Sequence, residues 1–410
     1  MTLPLPEAHH DWATIRNPNR SCIYIDKTQY LWRMLVKKKA RRRLITRPRY
    51  FGKSLFLQMT EQFFKGKQDL FKGLFVEKYG NKNIFPDEPG SDTDDGLWRE
   101  YPVIYLKFRQ SQKFITIDEF MSSYYAMIAT IAQEYELQNF KPGYGCTRRL
   151  INCLYNKFNK TPVIVLVDDY DFPFERVLSQ DNTKLANEIR DFFDDIFSTI
   201  ESKVKEVGFL FIMGISKLWL GYGANNIVDE TYNPEYSEAF GFTEEEITYH
   251  LGHYIEEFAE SESLNPKNIT DTLKHWYGGY QFDLNNSSSR IFNPVSALSS
   301  IRNKNFEGYR IKTSFMDPFS KMFFREGWSL YSLLKGVRIS PSLIEDGLTE
   351  REQPTLIRWM FQNGYFTVHE RQSSDIRLKI PNLEIETAIN KSLYRRQILQ
   401  CNHDKGILFK

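Results

Sequence analysis

What most constrains the fold is a set of short apolar runs placed far apart. Leu44-Ile45-Thr46 follows a basic stretch, Pro102–Phe108 reads PVIYLKF, Val163–Val167 reads VIVLV and Phe209–Met213 reads FLFIM. A strand buried on both faces has no polar side, so it shows as an unbroken apolar run rather than an alternating one. Between these runs, residues 54–64, 116–137 and 183–205 carry apolar side chains at three- and four-residue spacing, the period of a helix with one buried face. Strands alternating with such helices predict an α/β fold with a mainly parallel sheet.

From about residue 243 the pattern changes. Thr243-Glu244-Glu245-Glu246 forms a capping box that opens an amphipathic run to Phe258, and the chain reads as mainly helical to about 362. Gly364–Val368 and Arg377–Ile380 follow as two short strands joined by a polar turn, which predicts a winged-helix-like end. The expected division is residues 1–242, a helical region at 243–345 and the winged-helix-like region at 346–410. Asp87–Gly96, acidic with Pro and Gly, reads as a loop of the first domain.

Charge and composition exclude several classes. Lys and Arg total 54 against 52 Asp and Glu, so a net charge of +2 cannot hold a polyanion by bulk electrostatics. The four cysteines lie far apart, with no C-x-x-C pair and no histidines at ligand spacing, which argues against a zinc site and for reduced, mostly buried thiols. No apolar run approaches the ~18 residues of a membrane helix, and the N-terminus lacks a signal-peptide pattern. The expectation is a soluble intracellular protein, cytoplasmic, with a nuclear location left open by the basic run Lys37–Arg43. That run reads either as a nucleic-acid or nuclear-localisation patch or as a solvated helix end.

Chemistry concentrates at two places. Phe51-Gly52-Lys53-Ser54 is the back half of a phosphate loop, whose full form is a Gly, four variable residues, then Gly-Lys-Ser/Thr. Backbone N–H groups and the start of the following helix surround the phosphates, because unsatisfied amides and the helix dipole favour anions there. Lys53 is placed to neutralise β/γ oxygens and the Ser54 hydroxyl to bind Mg²⁺. The position of the first Gly is Arg47 here, so the loop runs Arg47-Pro48-Arg49-Tyr50-Phe51-Gly52-Lys53-Ser54 and enters a helix at Leu55. About 110 residues later, VIVLV ends in Asp168-Asp169-Tyr170-Asp171. An apolar strand ending in a carboxylate is a Walker B pattern, read as lying beside the phosphate-loop strand with Asp168 reaching the Mg²⁺ shell.

The remaining roles follow from this pair. Asp169 is the candidate for orienting an attacking water, with one methylene less than the Glu common at that position. The strand at 102–108 is read as belonging to the branch of P-loop ATPases that has an extra strand between the two motifs. Asp171 is read as a second carboxylate or as a cap of the next helix. Phe209–Met213 runs into Gly214-Ile215-Ser216-Lys217, where Ser216 and Lys217 either sense a γ-phosphate or form a turn with a solvated lysine.

These segments carry a family resemblance. YIDKT (24–28), RPRYFGKSLFL (47–57), LFKGLFV (70–76), WREYPVI (98–104), VDDYD (167–171), FIMGISK (211–217), GFTEEEI (241–247), HWYGGYQF (275–282), FNPVS (292–296) and LKIPN (378–382) occur in order. Together they resemble the AAA-ATPase-like family, P-loop proteins marked by an RPRRFGKS phosphate loop and a DEYD Walker B. The resemblance covers roughly residues 22–385. It implies an ATP- and Mg²⁺-binding α/β core, a helical segment with the WY-GY-F motif and often a C-terminal PD-(D/E)xK nuclease-like domain. By the resemblance Arg47 and Arg49 belong to the phosphate loop, where guanidinium forks hold oxyanions, and Asp26 and Lys27 lie in a segment near the nucleotide.

Three departures qualify it. Tyr50 replaces a third arginine. Asp169 replaces Glu, which bears on hydrolysis more than on binding. Residues 385–410 offer no Asp followed by Glu-x-Lys, so no nuclease in cis is expected. The functional expectation is a slow MgATP hydrolase coupling nucleotide state to domain arrangement, with a protein partner unspecified. Its alternatives are a degenerate nucleotide-binding switch or scaffold and a nucleic-acid-associated module lacking its nuclease. Trp276, Tyr277 and Tyr280 read as an adenine or base stack or as the filling of a domain interface, and helix 356–362 is not notably basic.

Overall fold

The apolar runs become the strands of a five-stranded sheet in the computed structural model, which describes residues 3–19, 21–36, 41–81, 84–85, 98–110, 114–178, 182–218, 226–310, 317–345, 355–372 and 374–407. The strands are β1 (Arg42–Thr46), β2 (Val103–Lys107), β3 (Val163–Asp168), β4 (Val207–Gly214) and β5 (Val228–Asp229). Their order is β2-β3-β4-β1-β5, and every pairing is parallel. The described chain divides into two compact units. One comprises His10–Thr46 and Lys53–Thr231; the other comprises Met1–His9, Arg47–Gly52 and Tyr232–Lys410.

In the unit that holds the five-stranded sheet, alternation within each strand feeds two cores. Val163, Val165 and Val167 join Leu210 and Ile212 in a cluster with the helices Ile117–Glu134, Cys146–Lys157 and Thr183–Ser202. Phe209 and Phe211 belong to the opposite face, where they meet Phe64 and Phe56 of the helix Lys53–Phe64 at 5.8 and 6.0 Å between ring centroids. Helices on both sides explain why the strands contain no polar side.

Two expectations need correction here. The carboxylate-bearing strand β3 is not the neighbour of β1: β4 lies between them, hydrogen-bonded to both. The inserted strand is thus Val207–Gly214, while the run at 102–108 sits beyond β3 at the sheet edge. Strand order is decided by crossovers, which the apolar pattern of a single strand does not record. The last part of the basic run, Arg42 and Arg43, also differs from a solvated helix end. Lys37–Ala40 lie outside the described residues, but Arg42 and Arg43 open β1. Arg42 pairs with Glu201 at 2.8 Å, and the fully buried Arg43 pairs with Glu230 and donates to the Met34 carbonyl at 3.1 Å. The acidic segment Asp87–Gly96 lies outside the described residues.

In the other unit the capping box is formed reciprocally, Thr243 with Glu246, at the start of the helix Glu244–Ser261. Helices Pro266–Tyr277 and Pro294–Asn303 follow. The two expected C-terminal strands are β7 (Thr367–Gln372) and β8 (Asp375–Lys379), antiparallel to each other, and Val337–Ile339 adds a third strand, β6, on β8. Tyr277 and Tyr280 are fully buried in the core of this unit and Trp276 is half-buried. Cys22 and Cys146 are buried thiols and Cys153 is exposed. No helix among the described residues is long and apolar enough to cross a membrane.

Candidate functional site

At the carboxyl end of β3, one lysine and a group of carboxylates are brought together out of water. Lys53, the first residue of its helix, is 6% exposed; Asp168, Asp169 and Asp171 are exposed by 7%, 6% and 1%. Burial lowers the pKa of the Lys53 ammonium, and the fields of Asp169, Asp171 and Asp168 act in the opposite direction. The open end of a parallel sheet, beyond the carboxyl ends of its strands, is where α/β proteins place ligands.

Each carboxylate has a different setting. Asp168 accepts from the Tyr105 hydroxyl at 3.3 Å through Oδ2, and the Ser54 side chain hydrogen-bonds to the same carboxylate. Its other oxygen, Oδ1, is buried with no hydrogen-bond partner among the described residues. Desolvation, reinforced by the Asp169 charge, pushes the Asp168 carboxyl up to about 6. Asp169 has a left-handed backbone, φ 50°, which a short polar side chain tolerates better than most. Its Oδ2 takes a hydrogen bond from Arg109 Nε at 2.6 Å.

Arg109 has no signature in the sequence, because a lone arginine just after a strand carries no spacing signal. Asp171 neither faces water nor caps the following helix with its side chain. Its Oδ2 accepts from the backbone N–H groups of Ile215 at 2.9 Å and Ser216 at 2.6 Å, tying the turn after β3 to the turn after β4. Tyr170 reinforces that tie, donating to the Ser216 carbonyl at 2.7 Å and accepting from Leu218 N–H at 3.0 Å. Desolvation, then the charges of Glu175 and Asp169, push the Asp171 carboxyl up to about 8. Ser216 Oγ donates to Glu175 at 3.3 Å. Lys217 is buried and paired with Asp229 of β5 at 2.6 Å, so it is not a solvated lysine.

The loop residues Arg47–Gly52 belong to the unit of Tyr232–Lys410. Arg47 is 1% exposed; its guanidinium donates to the Tyr236 carbonyl at 3.0 Å and lies 4.6 Å from the Phe282 ring centroid. Pro48 is buried, while Arg49 and Tyr50 are half-buried. Tyr50 and Gly52 both have left-handed backbones, φ 70° and 85°. Phe51 between them is buried, with its ring edge-on to Tyr280 and Phe282 at 4.9 and 5.1 Å. In the other unit, Ser54 and Leu55 are half-buried in the first turn of the helix Lys53–Phe64. Asp26 accepts from Thr28 N–H and Oγ1 at 2.8 and 2.7 Å and from Phe75 N–H at 2.7 Å, a structural brace.

The family model described as "Predicted AAA-ATPase" matches residues 6–221. Among curated proteins the chain is similar to "Uncharacterized protein in vnfD 5'region" of Azotobacter chroococcum mcd 1, at 26% identity over 409 residues, covering 96% of this chain and 70% of that protein.

Proposed function

The chain belongs to the AAA-ATPase-like family, and on that premise we propose that it binds ATP with Mg²⁺ through the Arg47–Leu55 segment and hydrolyses it slowly. The observation that carries this reading is the buried Asp168 Oδ1, without a hydrogen-bond partner among the described residues and in the same cluster as Lys53. A buried carboxylate oxygen without a donor costs desolvation energy unless a cation meets it. Ser54 and Asp168 offer hard oxygen ligands, which suit Mg²⁺, and when bound the ion neutralises charge on the phosphate oxygens. Lys53 supplies the fixed positive charge for the β/γ-phosphates, and the loop amides supply hydrogen bonds. Arg47 contributes its backbone rather than its guanidinium, which is committed to Tyr236. Ser216 and Lys217, held by Asp171 and Asp229, are assigned to sensing the γ-phosphate.

Slow rather than fast hydrolysis follows from Asp169. Its carboxylate is the candidate for orienting water, yet it is engaged by Arg109. Turnover requires that pair to open, and that requirement also favours a second reading, a nucleotide switch in which binding outlasts hydrolysis and sets the domain arrangement. Lys53→Ala tests the shared premise. Titration with a fluorescent ATP analogue and Mg²⁺ should show loss of binding in a variant that keeps its circular-dichroism spectrum; wild-type affinity in that variant would remove the phosphate-loop assignment.

A further inference from the structure

The fold places two aromatics of the HWYGGYQF segment, Tyr280 and Phe282, against the Arg47–Gly52 loop. Phe51 stands edge-on to Tyr280 and Phe282. Phe282 also receives the Arg47 guanidinium on its face, while Tyr236 accepts a hydrogen bond from it. Pro48 abuts Gly364: a Cβ on that glycine, whose φ is +72°, would lie 2.8 Å from the proline Cγ. The loop is thus fixed at its beginning, by Arg47 and Pro48, and near its end, by Phe51. All of these partners lie in one compact unit.

Such fixing has a physical purpose. Tyr50, a bulky residue, is held in the left-handed region, which is strained for any residue with a Cβ. Strain of this kind persists only where the surroundings over-determine the backbone. The anchors flank Tyr50 on both sides, so releasing one lets the loop relax away from this strained backbone conformation.

We propose that Tyr280, Phe282 and Gly364 are positioning residues for nucleotide binding, acting through Arg47, Pro48 and Phe51 to hold the phosphate loop in its anion-binding conformation. This rests on the nucleotide reading above. None of the three touches the nucleotide in this scheme; they set the fraction of molecules whose loop is competent. If that fraction falls to about one tenth, the apparent Kd rises about tenfold, because the observed affinity scales with the competent population.

The experiment uses the full chain in five forms: wild type, Phe282→Leu, Phe282→Tyr, Gly364→Ala and Lys53→Ala. Binding of a fluorescent ATP analogue with Mg²⁺ and amide hydrogen exchange are measured on each. Phe282→Leu and Gly364→Ala should raise Kd about tenfold and speed exchange specifically at residues 47–54, whereas general loosening would speed it throughout the Tyr232–Lys410 unit. Phe282→Tyr should keep wild-type affinity, since the ring that meets Phe51 and Arg47 is retained. Lys53→Ala should lose binding with loop exchange unchanged. If Lys53→Ala binds normally, the nucleotide reading itself fails. If Lys53→Ala loses binding while Phe282→Leu binds like wild type, the positioning role is overturned, and faster loop exchange with unchanged Kd overturns it equally. Should Gly364→Ala fail to fold, Phe282→Leu decides alone.

Discussion

Asp171 offers the sharpest test of how the site is held, because two substitutions there make opposite demands on the same interaction. Its Oδ2 satisfies the buried amides of Ile215 and Ser216, and the residue is 1% exposed. Asp171→Ala leaves both N–H groups without an acceptor, at about 1–3 kcal/mol each. Relief of a buried acid beside Glu175 and Asp169 offsets part of that, so the net cost should be about 3 kcal/mol. Asp171→Asn keeps a carbonyl acceptor in place. With the carboxyl pushed up to about 8, the protonated form is the favoured one at pH 7, and asparagine resembles that neutral form. Its cost should be about 1 kcal/mol or less.

The pH dependence has a definite sign. The native state keeps a proton that the unfolded chain releases near 3.8, so the contribution to stability is full below pH ~4 and is lost as pH rises through about 8. Asp168, raised to about 6, gives a slope of the same sign at lower pH, and Lys53, lowered by burial, gives the opposite slope on the alkaline side. Between pH 6 and 8, therefore, the fall in wild-type stability should be reduced in Asp171→Asn. A chain of two compact units need not unfold in one step, so native-state hydrogen exchange at residues 207–217 is the readout, with calorimetry beside it. Equal costs for Asn and Ala at pH 7, or an unchanged slope in Asp171→Asn, would refute the argument by showing that the ionised carboxylate is what holds the turn.

Other substitutions test separate parts of the structure. Gly279→Ala would place a Cβ 2.3 Å from the Pro381 carbonyl oxygen at a φ of +87°. Left-handed strain and overpacking together should cost about 3 kcal/mol, lowering the calorimetric midpoint of that unit by about 5–10 °C; a shift under about 2 °C would contradict the packing. Glu230→Ala removes the carboxylate that pairs with the buried Arg43 guanidinium and should cost about 3–5 kcal/mol by chemical denaturation. For catalysis, steady-state phosphate release should be lost in Asp169→Asn and rise about tenfold in Asp169→Glu, where the longer side chain reaches further toward water. Undetectable turnover in wild type and Asp169→Glu alike, with binding intact, would select the switch reading.

What the sequence disclosed and what it hid separate along physical lines. β3 and β4 were legible because burial on both faces leaves an unbroken apolar run, and Thr243–Glu246 because a capping box is complete within four residues. The roles of Arg43, Arg109 and Asp171 were not, since each depends on a partner far along the chain: Glu230 lies 187 residues from Arg43, Asp169 lies 60 from Arg109 and Ile215 lies 44 from Asp171. A charged residue announces its type locally but its partner only through the fold.

The same distinction bears on the phosphate loop. Its Gly-Lys-Ser is the local sequence pattern expected of an anion-binding turn, yet a backbone with a tyrosine in the left-handed region is not self-supporting, and nothing in the loop's own sequence says what supports it. The support comes from Tyr236, Tyr280, Phe282 and Gly364, more than 180 residues downstream. Substituting these residues should therefore change nucleotide affinity without changing any group that meets phosphate. The shape of the Arg47–Gly52 loop is therefore set by aromatic sockets of its own compact unit, far from the loop in sequence.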